Sequence, residues 1–123
     1  MYKLSVEQHF DAAHALRGYK GKCENLHGHR FQVKVKVTSS QLDDIGLAFD
    51  FSELKRILQE VLFRFDHANL NEITPFDKIN PSSENIARTV YESMKIELKD
   101  APVELAAVKV WESPESAVEY SED

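Results

Sequence analysis

Apolar and polar residues alternate at the start of the chain, with Tyr2, Leu4 and Val6 on one parity and Lys3, Ser5 and Glu7 on the other. A period of two belongs to a half-buried strand and predicts one over residues 2–10. "FQVKVKVT" repeats the pattern more strictly: Phe31, Val33, Val35 and Val37 oppose Gln32, Lys34, Lys36 and Thr38. The connection between these strands is roughly 15–20 residues, a length at which ordered loops are often functional. From Asp50 the period changes. Phe51, Leu54, Ile57, Leu58, Val61, Leu62 and Phe65 recur at helical spacing, and Asp50 with Glu53 resembles a capping box. A second helix is predicted to open near Pro81, with Ser82 or Ser83 at its start. Its stripe is Ile86, Val90, Met94 and Leu98, and Pro102 follows its end. "VELAAVKVWE" and "AVEYS" read as two closing strands joined by a turn over Ser113–Ser116.

The order ββααββ predicts an α+β fold, an antiparallel sheet with two helices on one face, in a single domain spanning 1–123. The second sheet face carries apolar side chains in places, and its edges are open. Such a sheet tends to find a partner, so an oligomer is expected.

Composition narrows the picture. The hydrophobic fraction is 42% and the charged fraction 29%, which is ordinary for a globular domain able to bury its own core. No apolar run reaches the roughly 20 residues of a membrane helix, and the N-terminus lacks a signal-peptide core. A single cysteine cannot form an intramolecular disulfide, so a reducing, cytoplasmic setting is expected. The net charge of −6 argues against nucleic acid as a general partner. Locally, Arg17, Lys20 and Lys22 form a basic loop that is either solvated or able to meet a phosphate.

The chemistry concentrates around "CENLHGHR". His27 and His29 share the parity of Phe31, Val33 and Val35, so an early strand start sends both rings to one face. Alternate strand residues lie about 6.5–7 Å apart, close enough for two imidazoles to converge on one ion. Gly28 between them leaves the backbone free to bend. His14, just past the first strand, is the candidate third donor. Antiparallel pairing of the strands would set it beside the other two. Three neutral histidines leave the fourth position of a zinc ion open, the arrangement of catalytic sites. The alternative is a set of unrelated histidines.

Cys23 is a small buried hydrophobe, a metal ligand, or a thiol activated by Lys22 and a nearby dication. Asp66 and His67 form either an acid–histidine pair or a helix-end cap. His9 reads as a sheet-face histidine without a role. Glu112 shares the parity of Val108 and Val110. A carboxylate on that face is either solvated at the strand end or bound by a ligand with two N–H donors.

Together "FDAAH", "CENLHGH", "LAFDFSELK", "FDHANLN", "NPSSENIA" and "VKVWES" resemble, in register, the 6-pyruvoyltetrahydropterin synthase family, which includes the 6-carboxytetrahydropterin synthases. The resemblance implies the tunnelling fold (T-fold), in which ββααββ subunits assemble into barrels with active sites between subunits. A homo-oligomer, taken as a hexamer, follows from it. By resemblance His14, His27 and His29 are the Zn2+ ligands. Cys23, Asp66 and His67 match the catalytic set, the last two coming from a neighbouring subunit. Glu112 matches the acid that anchors the pterin ring, and Ser82 and Ser83 occupy a segment that contacts it.

Two branches of the family compete. One eliminates triphosphate to give the pyruvoyl product. The other converts 7,8-dihydroneopterin triphosphate and water to 6-carboxytetrahydropterin, acetaldehyde and triphosphate in queuosine biosynthesis. The three residues between Cys23 and His27 resemble the second, carboxy branch. A lyase acting on a small pterin triphosphate is the expectation, with a non-enzymatic zinc-stabilised interaction domain as the rival class.

Overall fold

The computed structural model describes residues 1–122, and for Cys23 the backbone only. Five strands and two helices form it: β1 (Tyr2–His14), β2 (His27–Ser39), α1 (Phe51–Leu62), β3 (Ala68–Asn69), α2 (Ser83–Glu97), β4 (Glu104–Ser113) and β5 (Ser116–Tyr120). The sheet order is β3-β1-β2-β4-β5. Every pairing is antiparallel except that of the two-residue β3, which runs parallel to β1 at Ala12 and Ala13.

The strand period continues further than the sequence suggests. β1 runs through His14 rather than stopping near Phe10, and β2 begins at His27. The connection between them is therefore twelve residues long, shorter than expected. Its ends are brought together by the register that pairs Tyr2 with Ser39, Phe10 with Phe31 and His14 with His27.

One sheet face is covered by the helices. Phe10, Phe31, Val33, Val35, Val37, Val108 and Val110 are buried there against Leu54, Leu58, Ile86, Val90 and Met94. The Phe10 and Phe31 rings stack with centroids 5.0 Å apart, and Phe65 tilts onto Phe10 at 5.8 Å. Each such side chain contributes roughly 1.5–3 kcal/mol by leaving water. Both helices are capped by side chains. Asp50 accepts from the Ser52 amide at 2.8 Å and Ser82 from the Asn85 amide at 3.1 Å. Glu53 does not complete a capping box: it turns outward to pair with Arg56. Phe51 departs from the expected stripe and is exposed.

The other sheet face is largely polar, with apolar groups in places, as the sequence suggests: Ala107, Trp111 and Ala117 lie among charged side chains. Asp11 pairs with Arg30 and Lys36 with Glu119, while Lys109 lies over the Trp111 ring at 4.7 Å. The edges are open: among the described residues nothing pairs with β1 over residues 2–11 beyond β2.

Candidate metal centre and the acid–histidine pair

At one end of the sheet the covered face changes from hydrocarbon to imidazole. Along β1 the inward positions run Phe10, Ala12, His14, and along β2 they run Phe31, His29, His27. His14 and His27 are directly paired, and His29 stands diagonally across. The ring centroids of His14 and His27 are 4.7 Å apart, those of His27 and His29 4.7 Å, and those of His14 and His29 5.3 Å. On β4, Val108 and Val110 face the same core, and Glu112 is the next residue of that parity. A ring nitrogen of each histidine and a carboxylate oxygen of Glu112 all lie within 4.8 Å of one another.

Backbone carbonyls orient two of the rings. His14 Nδ1 lies 2.7 Å from the Pro81 carbonyl and His27 Nδ1 lies 2.7 Å from that of Asn25. A carbonyl only accepts, so each Nδ1 carries the proton and each Nε2 keeps a free lone pair. His14 is 1% exposed, and its Nε2 is buried without any hydrogen-bond partner. Burial holds the His14 imidazole below its ordinary pKa, in the neutral form that binds metals. A buried imidazole nitrogen left without a partner is costly, and a cation would satisfy it. The donor set, three imidazoles and a carboxylate, is one that binds a divalent transition metal.

Glu112 is divided between two neighbours. One oxygen lies 3.2 Å from His29 Nε2, and the other accepts from the Ser83 hydroxyl at 3.2 Å. The His29 contact is close in distance, yet His29 Nε2 has no hydrogen-bond partner of acceptable angle. Ser82, by contrast, spends its oxygen on the helix cap.

Asp66 and His67 lie elsewhere. They follow α1 and lead into β3, beside the outward-facing side of β1. The His67 amide donates to the Asp11 carbonyl at 2.6 Å, and the Asp11 amide donates to Asp66 at 3.0 Å. His67 adopts φ 56, a left-handed backbone uncommon outside glycine. Its Nδ1 is 3.1 Å from the Asp66 carboxylate, and its side chain is 79% exposed. The Asp11 amide holds the Asp66 carboxyl below its usual pKa. Asp11 is held low in turn by the Arg30 guanidinium, which bonds it at 2.9 and 3.1 Å. Asp11 and Arg30 have the outward parity of β1 and β2, and His14, His27 and His29 have the inward parity. Within one chain the acid–histidine pair and the imidazole cluster therefore face opposite sides of the sheet. The Cys23 side chain lies outside the described residues; its backbone forms a short 3-10 turn at Lys22–Glu24, three residues before His27.

Sequence reasoning missed the groups that brace the site. Asn71 grips the Ala15 backbone, accepting from its amide at 2.8 Å and donating to its carbonyl at 2.9 Å. Asn80 does the same for Arg17 at 2.9 and 2.8 Å. These clasps fix the chain just after His14. The asparagines occur in "FDHANLN" and "INPSSEN", but nothing in their spacing marks them as backbone clasps.

Two depressions flank Arg30 at this end of the sheet. One, of about 570 Å³, is bordered by Asp11, Gly28, Arg30 and His67, and the other, of about 610 Å³, by Gln32, Trp111, Glu112 and Pro114. A larger depression, of about 670 Å³, lies at the opposite end beside Ser39 and Phe49 and holds none of these groups.

The sequence profile of the family described as "6-pyruvoyl tetrahydropterin synthase" matches residues 3–123. The 6-carboxy-5,6,7,8-tetrahydropterin synthase of Haemophilus influenzae is 34% identical, over 99% of this chain and 100% of that protein. The dihydroneopterin monophosphate aldolase of Pyrococcus furiosus is 37% identical over 89% of each chain. The solved structure of Caenorhabditis elegans 6-pyruvoyl tetrahydropterin synthase superposes with a TM-score of 0.86 at 30% identity, covering 99% of this chain and 96% of that one. Neighbouring strands, register and the end-of-sheet histidines thus sit in a fold shared with pterin enzymes, and the chain belongs to the 6-pyruvoyl tetrahydropterin synthase family.

Proposed function

We propose that this protein is a zinc-dependent lyase that converts 7,8-dihydroneopterin triphosphate and water to 6-carboxytetrahydropterin, acetaldehyde and triphosphate. The observation that carries this reading is the inward-facing cluster of His14, His27 and His29 with Glu112 beside it, in a chain similar over its whole length to a carboxy-branch enzyme. The three histidines would hold the metal, and a bound zinc ion would act as a Lewis acid toward the oxygens of the substrate side chain.

The chain's own groups supply the rest. Glu112 offers two carboxylate oxygens to the ring N–H and the amino group of the pterin, fixing the ring so that the reacting atoms need not search. Ser83 holds one of those oxygens and so sets the plane of the carboxylate. Ser82 borders the same segment, although its side chain is committed to the cap. His67, oriented by Asp66, serves as one acid–base group at the side-chain carbon, and the Cys23 thiolate as the other.

Because Asp66 and His67 face away from the imidazoles of their own chain, a neighbouring subunit provides them. The working form is a homo-oligomer, a hexamer by resemblance, built through the open strand edges. The expected setting is the cytoplasm.

Incubating the zinc-loaded protein with dihydroneopterin triphosphate should release acetaldehyde together with 6-carboxytetrahydropterin. A pyruvoyl or aldolase product in place of acetaldehyde would move the protein to another activity of the same family. Absence of turnover with zinc bound would leave the interaction-domain reading.

A further inference from the structure

The Glu112 carboxylate is close to His29 in a way that a hydrogen bond does not explain. Its oxygen is 3.2 Å from His29 Nε2, but that nitrogen has no partner of hydrogen-bond geometry. Two donor atoms that approach without a proton aimed between them suit a shared third centre. Four ligands at about 2.0–2.1 Å from a zinc ion form a tetrahedron with edges of about 3.3–3.4 Å. The His29–Glu112 separation of 3.2 Å is close to one such edge, and a ring nitrogen of each of the other two histidines lies within 4.8 Å of both atoms. Glu112 also remains hydrogen-bonded through its second oxygen to Ser83, which fixes the first oxygen toward the histidines. Its side chain is 30% exposed, so it can leave this position without disturbing the core.

We propose that Glu112 is an exchangeable fourth ligand: it closes the metal site of the resting protein and is drawn away when a pterin ring binds. This rests on the three-histidine reading above and adds to it. One carboxylate cannot serve the metal and the ring's N–H groups with the same oxygen. Ring binding therefore opens the coordination position that the substrate side chain needs. The site stays closed to other oxygen ligands until the correct ring is present. By linkage, ring and metal must then weaken each other's binding by a common factor.

Cobalt-substituted protein tests this without turnover. Wild type should show the visible absorption of a four-coordinate site, and Glu112→Ala a shifted spectrum as water replaces the carboxylate. Zinc affinity, measured by chelator competition, should fall roughly 10–100-fold in Glu112→Ala, a size typical of losing a supporting group at a zinc site. Glu112→Gln, which keeps the shape and the Ser83 contact, guards against a folding artefact and should weaken zinc in the same direction.

Adding 2-amino-4-oxopteridine, a ring without the reactive side chain, should move the wild-type spectrum toward that of Glu112→Ala and lower zinc affinity. The idea is overturned if Glu112→Ala leaves spectrum and zinc affinity unchanged while His27→Ala abolishes binding; the three-histidine reading would then stand alone. It is equally overturned if the pteridine binds without altering the spectrum. Failure of wild type to bind cobalt or zinc, or of the pteridine to bind at all, would instead remove the reading beneath it and the exchange with it.

Discussion

Replacing Asn71 tests whether the clasp after β1 holds the site together. Its amide makes two hydrogen bonds to the backbone of Ala15, one as acceptor and one as donor, at 2.8 and 2.9 Å. Each is worth about 0.5–1.5 kcal/mol net, so Asn71→Ala should cost about 1–3 kcal/mol. Asn71→Asp is the sharper probe. It keeps the acceptor for the Ala15 amide but sets an anionic oxygen against the Ala15 carbonyl, where a donor stood. Despite its near-identical shape it should be at least as destabilising as alanine.

Urea unfolding of the metal-free protein reads this loss directly, with the slope unchanged if only the native state is affected. Ala15 follows His14, so zinc affinity should fall as well. A loss below about 0.5 kcal/mol for Asn71→Ala, or an aspartate variant as stable as wild type, would refute the clasp.

His67→Ala should retain zinc and lose about 10²–10⁴-fold in turnover, the usual worth of an acid–base group; wild-type turnover would remove it from the chemistry. Cys23→Ala should behave alike, zinc content by atomic absorption separating a lost ligand from a lost proton carrier. The unfolded-state His14 titrates near 6.5, while burial lowers the native value. The unfolded chain therefore takes up the proton first. The stability of the metal-free protein should fall as pH drops below about 6.5 and level off beneath the native pKa. A wild-type denaturation midpoint that stays flat across that window, or a pH dependence that persists unchanged in His14→Phe, would contradict the assignment. Phe31→Ala should cost about 3–5 kcal/mol, since the ring is fully buried between Phe10 and the histidines; near-neutral behaviour in thermal melts would be incompatible with that packing.

Much of the site was legible because the strand period does not stop where the hydrocarbon does. The parity that buries Phe31 and Val33 also aims His27 and His29, and that of Val108 and Val110 aims Glu112. His14 was visible as a donor, but its face-to-face pairing with His27 depends on β1 continuing to its end, through an alanine pair that carries little strand signal. The Pro81 and Asn25 carbonyls could not be read at all. Every residue has a carbonyl, so sequence distinguishes none of them. Phe51 misled for a related reason. Helical spacing gives an angle about the axis, and says nothing of how far along the axis the covering layer extends. The Asp11–Arg30 pair became visible only once the two strands were in register, since the residues are nineteen apart in the chain.

The division of labour between the two sides of the sheet has a genetic counterpart. A subunit carrying His27→Ala still presents an intact acid–histidine pair, and one carrying His67→Ala still presents an intact imidazole cluster. If neighbouring subunits supply the two halves of one active site, as proposed, these two variants should each be impaired alone and, dissociated and reassembled together, should regain turnover at the junctions where the sound halves meet.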